Sequence, residues 1–224
     1  MKHEPPFAVL YDMDGVLVDN MTYHVAAWRL FCARHGFPFD LADYNRHMNG
    51  RNAHDSLTYL LGRPPSAEEL TALTAEKEAL YREHYAPDLR PAPGLLPLLA
   101  DLRARGVRQA VATSAPIENV TFTLDGAGLR SYFDAVIDAA QVRHGKPAPD
   151  IYLTAAAAVG VEPRRCIVIE DALLGIEAGR AAGMRVIGVA TTQPPDELRH
   201  TDWVVPNFEP LTFDGLVALL EPRP

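Results

Sequence analysis

The sequence predicts an α/β protein, with a Rossmann-like parallel-sheet core and an inserted α-helical cap domain, and three observations carry that reading. From residue 95 onward short apolar runs alternate with segments of helical period. One further apolar run of the same kind, FAVLY at 7–11, stands far ahead of them. The stretch between, 20–91, shows helical periodicity and no convincing strand.

FAVLY has no 3.6-residue period and runs straight into the turn-forming Asp12-Met13-Asp14-Gly15, as a buried strand does. In 22–35 and 66–85 apolar residues recur at helical spacing; Asn20 and Ser66 are placed to cap these helices, Gly36 and Pro87 to stop them. A third helix is expected over 52–61, closed by Gly62-Arg63-Pro64-Pro65. Pro91-Ala92-Pro93-Gly94 then forms a hinge. Beyond it the expected order is helix 95–105, strand 107–112, helix 117–127, strand 134–138, helix 150–159, strand 166–170, helix 173–182, and strands 185–189 and 203–205. This alternation implies a parallel sheet covered by helices on both faces. The core is therefore assigned to 1–19 and 92–224, and the helical cap to 20–91.

With 224 residues, 48% hydrophobic and 22% charged, the chain is large enough to bury a substantial core. A formal charge of -8 argues against a nucleic-acid or anionic-membrane surface, whereas a small anionic ligand still fits a locally positive pocket. No run approaches the roughly 18 apolar residues of a membrane span. The opening MKHEPPFAVLYDMDG lacks the apolar core of a signal peptide. A cytoplasmic, monomeric enzyme is expected. Cys32 and Cys166 stand far apart without metal-ligand spacing and read as buried free thiols.

In open parallel sheets ligands bind beyond the carboxyl ends of the strands. Asp12 and Asp14 follow the first predicted strand, Thr113 and Ser114 the second, Lys146 lies in the loop after the third, and Glu170-Asp171 end the fourth. An acidic residue after a strand is most often a solvated turn or a helix cap. Four strand ends presenting carboxylates, hydroxyls and an ammonium to one rim make a set. Such a set suits phosphoryl transfer, in which catalysis is mainly positioning and electrostatic stabilisation. Asp12, Glu170 and Asp171 are candidate ligands for Mg²⁺, a cation that prefers hard oxygen donors. Lys146 offsets the repulsion among the acids and, with the Thr113 hydroxyl, holds a phosphoryl group. The carboxylate of Asp12 is placed to attack phosphorus, and Asp14 to donate and then accept a proton.

DMDGVLVDN at 12–20, TSA at 113–115, GKPAPDIY at 145–152 and IEDALLGIEAGRAAGM at 169–184 resemble the four motifs of the haloacid dehalogenase-like superfamily. The likeness is greatest to the subgroup of β-phosphoglucomutase and small sugar-phosphate phosphatases. The resemblance implies Asp12 as nucleophile and Asp14 as acid/base. It also implies Mg²⁺ held by Asp12, the backbone carbonyl of Asp14 and Asp171, with Glu170 nearby. Dehalogenases of the superfamily lack the second aspartate, so Asp14 argues for phosphoryl transfer. Other motifs fail: an EF-hand from Asp12 lacks its glycine and glutamate, Gly145-Lys146 is followed by Pro147 and makes no P-loop, and neither HExxH nor GxSxG occurs.

On the cap segment, His24, Gly50 and Arg51 match subgroup positions facing substrate; as plain structure they are a helix residue, a turn and its neighbour. Trp28 falls on the apolar period of its helix and reads as core. Where related mutases place an arginine three residues after the cap glycine, this chain has Ala53, and Pro116-Ile117-Glu118-Asn119 also departs from them. The expected activity is thus a phosphatase acting on a small phosphorylated metabolite, with a β-phosphoglucomutase-like isomerase as the alternative and a non-catalytic phospho-ligand regulator as a third.

Overall fold

The computed structural model describes residues 7–221; the opening hexapeptide discussed above lies outside them. The chain forms two compact units: one takes it through Asp19 and again from Arg90 onward, and the other is Asn20–Leu89.

The first unit is built on six strands: β1 (Ala8–Tyr11), β2 (Arg108–Ala112), β3 (Ala135–Ile137), β4 (Cys166–Glu170), β5 (Arg185–Val189) and β6 (Trp203–Val205). They form one sheet in the order β3-β2-β1-β4-β5-β6, every neighbouring pair parallel. Its helices are α5 (Leu95–Ala104), α6 (Ile117–Gly126), α7 (Asp150–Val159), α8 (Leu173–Ala181) and α9 (Phe213–Leu220).

Side chains alternate across a strand, so each buried strand feeds two cores. Val9 and Tyr11 join Val111, Ile167, Ile169 and Ile187 beneath leucines of α5 and Leu216 of α9. Ala8 and Leu10 join Ala110, Val168 and Val186 against Ile151 and Ala155 of α7 and Ile176 of α8. The continuous apolar runs read from the sequence reflect this two-sided burial. Strand order reverses at β1: β2 and β3 lie to one side, β4 to β6 to the other, and that switch point is where such sheets bind ligands. The register puts Tyr11 level with Val111 and with Ile169, so the residues after β1, β2 and β4 emerge side by side.

The second unit contains α1 (Met21–His35), α2 (Leu41–His47), α3 (Ala53–Leu61) and α4 (Ala67–Tyr85). Ser66 and Glu69 form a reciprocal capping box at the start of α4, and Gly36 closes α1 in the left-handed conformation. Asn20 departs from the capping expectation: its side chain makes no cap bond, and its amide instead donates to the Tyr81 hydroxyl at 2.6 Å. α1 and α4 pack antiparallel, from the Tyr23–Tyr85 ring pair at 4.7 Å to the His35–Glu76 pair at 2.9 Å. Trp28 is buried edge-on to Phe31, as its helical period implies. Cys32 and Cys166 are buried free thiols.

Candidate active site

The DMDG turn leaves β1 with the Asp12 amide donating to the Ile169 carbonyl of β4 at 3.0 Å, which aims its side chain along the switch point. Gly15 completes the turn at φ +76, where a side chain is strained. A Cβ there would also fall inside the van der Waals shell of Asp171 Oδ2. From the loop before α7, Lys146 extends back to donate to Asp12 Oδ1 at 2.7 Å and to Glu170 Oε1 at 2.6 Å. Asp12 and Lys146 are 8% and 9% exposed, and Glu170 is fully buried.

Glu170 is saturated by donors. Its Oε1 also accepts the Tyr152 hydroxyl at 2.8 Å, and its Oε2 accepts the amides of Asp171 and Ala172 at 2.9 and 3.0 Å. Gly175, in the first turn of α8, leaves room for this carboxylate: a Cβ there would overlap it. Four donors fill the lone pairs of one carboxylate, so the geometry makes Glu170 the anchor of Lys146 and of the β4–α8 turn. Asp171 turns the other way, where the Thr192 hydroxyl donates to its Oδ2.

Oxygens of Asp12, Glu170 and Asp171 lie within 4.8 Å of one another; with Glu170 filled by its donors, Asp12 and Asp171 present the hard oxygens that fit a cation such as Mg²⁺. The charge count agrees: among the described residues Lys146 is the one cation ion-paired in this cluster of three buried carboxyl groups, and it pairs with Asp12 and Glu170. Burial raises the Asp12 carboxyl to about 7; Lys146 opposes this, and the charges of Glu170 and Asp14 reinforce it. Asp171 is likewise pushed well above the usual carboxylate range by burial, then by Glu170 and Asp12. For Lys146, burial pulls the ammonium down, but Asp12 and Glu170 outweigh it and hold it above its ordinary value. The cluster is short of positive charge.

At the end of β2, Thr113 is buried, and its Oγ1 accepts the Ala115 amide at 3.1 Å, leaving its hydroxyl proton to donate elsewhere. Ser114 follows it, partly exposed. Asp14, within the turn, is partly exposed, its backbone bridged to Val18. Asp12, Lys146, Glu170 and Asp171 thus meet at the switch point, and Thr113 and Ser114 follow the adjacent strand β2.

His24, Gly50 and Arg51 belong to the helical unit. His24 is buried in α1, stacked on Tyr81 with centroids 3.9 Å apart, and its Nδ1 lies 2.8 Å from Lys77 Nζ. Gly50 turns the chain between α2 and α3 at φ +73, and Arg51 follows it, exposed. Sequence reasoning missed Tyr152 and Thr192. The tyrosine stands inside the GKPAPDIY motif, where its period reads as core; the threonine lies outside every motif.

The haloacid dehalogenase-like hydrolase profile matches residues 8–183. β-Phosphoglucomutase of Bacillus subtilis is 34% identical over 218 residues, covering 93% of both chains. Fructose-1-phosphate phosphatase of Escherichia coli is 34% identical over 183 residues, 81% of this chain and 95% of that one. Among solved structures, β-phosphoglucomutase from Clostridium difficile superposes with a TM-score of 0.85 at 28% identity, covering 96% of this chain and 97% of that one. The parallel sheet, its acidic switch point and these matches together make the chain a member of the haloacid dehalogenase-like hydrolase family.

Proposed function

We propose that the protein is a Mg²⁺-dependent phosphatase that hydrolyses a small phosphate monoester, a sugar phosphate by class, through an aspartyl-phosphate on Asp12. The observation that carries this reading is the buried Asp12–Lys146–Glu170 triad at the switch point, with Asp171 beside it. The Asp12 carboxylate attacks phosphorus and the bond to the ester oxygen breaks, while Asp14 delivers a proton to that oxygen. A water then attacks the aspartyl-phosphate, Asp14 takes its proton, and Asp12 is released. Lys146 and the Thr113 hydroxyl hold phosphoryl oxygens, and the Ser114 segment closes the same rim. Asp12, Asp171 and the Asp14 carbonyl would hold the cation, with Glu170 behind them anchoring Lys146. When bound, Mg²⁺ supplies charge stabilisation for the transferring group.

The helical unit serves as the cap in this reading, with His24, Gly50 and Arg51 as its substrate-side residues. Identity to a β-phosphoglucomutase over 93% of the chain favours the isomerase as the second reading. Ala53, in place of the mutase arginine, weighs against it, since an arginine fork makes charge-assisted bonds worth about 1.5–3 kcal/mol each. With Mg²⁺ and a trace of glucose 1,6-bisphosphate, phosphate release from a panel of sugar phosphates is expected to exceed conversion of β-glucose 1-phosphate to glucose 6-phosphate. Efficient isomerisation with negligible phosphate release would reverse the assignment.

The raised carboxyls give a second test. Asp12 holds its proton in the fold up to about pH 7, against an ordinary value of 3.8, so ionising it costs the metal-free protein stability as pH rises across that interval. A cation binds the ionised form and competes with the proton. The rise in Tm on adding Mg²⁺ is therefore expected to be larger at pH 8 than at pH 5.5. A Tm shift independent of pH, read by differential scanning fluorimetry on chelator-treated protein, would place the cation elsewhere.

A further inference from the structure

The segment after β5 lies outside every motif and role assigned so far. Thr191 and Thr192 stand side by side there, and both hydroxyls turn toward the switch point. Thr191 donates to the backbone carbonyl of Gly15, and Thr192 donates to Asp171 Oδ2. One dipeptide on one loop thus grips two separate pieces of the site: the turn that carries Asp12 and Asp14, and the carboxylate that follows β4. At the same corner, the position of a Cβ on Gly15 is bounded by both Asp171 Oδ2 and Thr192 Oγ1.

A carboxylate on a single methylene rotates readily unless something fixes it. Asp171 is 2% exposed, so few waters are present to satisfy whichever oxygen the protein leaves unbonded. The Lys146 contacts do not fix it, because that ammonium is bonded to Asp12 and Glu170. Nor do the amides at the start of α8, which are taken by Glu170. Among the contacts described, only the Thr192 hydroxyl fixes the Asp171 side chain.

We infer that Thr192 is a positioning residue for cation binding: its hydroxyl holds Asp171 in the orientation in which it meets Asp12 and Glu170, and Thr191 steadies the facing turn. The inference rests on the reading of this cluster as a Mg²⁺ site. Partners that orient a metal ligand through hydrogen bonds typically account for about 10–100-fold in metal affinity.

The test is calorimetric titration of Mg²⁺ into the chelator-treated full chain, with no substrate present. Thr192→Val keeps the shape and removes the donor, and is expected to raise the Kd for Mg²⁺ by about 10-fold or more. Thr192→Ser restores the donor and is expected to bind close to wild type. Thr191→Val, which leaves Asp171 untouched, is expected to shift the Kd less than Thr192→Val. Thr192→Ala serves as a second donor-free variant should the valine protein fail to fold, folding being judged by circular dichroism. A wild-type Kd in folded Thr192→Val or Thr192→Ala overturns the inference, as does a serine variant as weak as the valine one. If the wild-type protein binds no Mg²⁺, the metal reading itself falls and takes this inference with it.

Discussion

Asp12→Asn is expected to fold normally and to lose at least about a thousandfold in kcat. The amide matches the carboxylate in shape, and Lys146 retains Glu170 as a partner, so the switch point keeps its packing. What disappears is the proposed nucleophile, since a carboxamide carries neither the charge nor the basicity to attack phosphorus. Burial already penalises the Asp12 charge, lifting its carboxyl to about 7, so removing that charge also removes a cost that the metal-free protein bears at alkaline pH. The metal-free variant is therefore expected to melt no lower than wild type at pH 8. Steady-state phosphate release and mass spectrometry of acid-quenched enzyme check both halves: the wild type carries a phosphoryl adduct on Asp12 and the variant does not. Substantial turnover by a folded Asp12→Asn protein would mean that another group attacks phosphorus.

Lys146→Met has the second largest expected effect, and it falls on stability as well as rate. The ammonium is buried, and it bonds two buried carboxylates at 2.7 and 2.6 Å. Removing one partner of a buried ion pair leaves an uncompensated charge, which typically costs about 3–5 kcal/mol. Without Lys146, which opposes the upward shift of Asp12, that carboxyl favours its protonated form more strongly, so the folded variant binds more protons than the unfolded chain and loses stability as pH rises. Urea melts are accordingly expected to show a larger deficit against wild type at pH 8 than at pH 5. Activity is expected to fall in parallel, because the group proposed to hold a phosphoryl oxygen is gone. A deficit below about 1 kcal/mol at both pH values, the scale of an exposed pair, would show that solvent reaches these carboxylates freely.

The features legible in the sequence are those with strong local chemistry. The inner strands β1, β2, β4 and β5 are short apolar runs because they are buried on both faces, and the acidic and hydroxylic residues named from the sequence lie at or just after the ends of β1, β2 and β4. Two helices escaped notice for opposite reasons. Leu41–His47 has seven residues, too few for a period to show, although Asp40 caps it. Phe213–Leu220 is apolar around most of its circumference, so it reads as neither helix nor strand by spacing alone. The remaining misses depend on tertiary contacts. The amide of Asn20 serves Tyr81 rather than its own helix, and the hydroxyls of Tyr152 and Thr192 acquire meaning only from the carboxylates they reach.

The hydrogen bond between Tyr23 and Asp88, at 2.7 Å, bears on how the chain assembles. β1 is synthesised first yet lies mid-sheet, with neighbours that begin at Arg108 and Cys166. Searching for such distant partners is slow, because the entropy of closing the intervening loop must be met before the pairing contributes anything. The Tyr23–Asp88 bond and the Tyr23–Tyr85 ring pair join the first turn of the helical unit to its last, so that unit, once folded, returns the chain to near where it left. Just outside it the Ala92 amide reaches the Leu17 carbonyl at 2.9 Å and makes the same closure on the sheet's side. A long excursion then acts as a short connection, and each halving of the effective loop spares about 0.6 kcal/mol of closure entropy. Early folding of the helical unit is therefore expected to speed the pairing of β1 with β2, and that unit to tolerate internal lengthening or shortening so long as its two ends still meet.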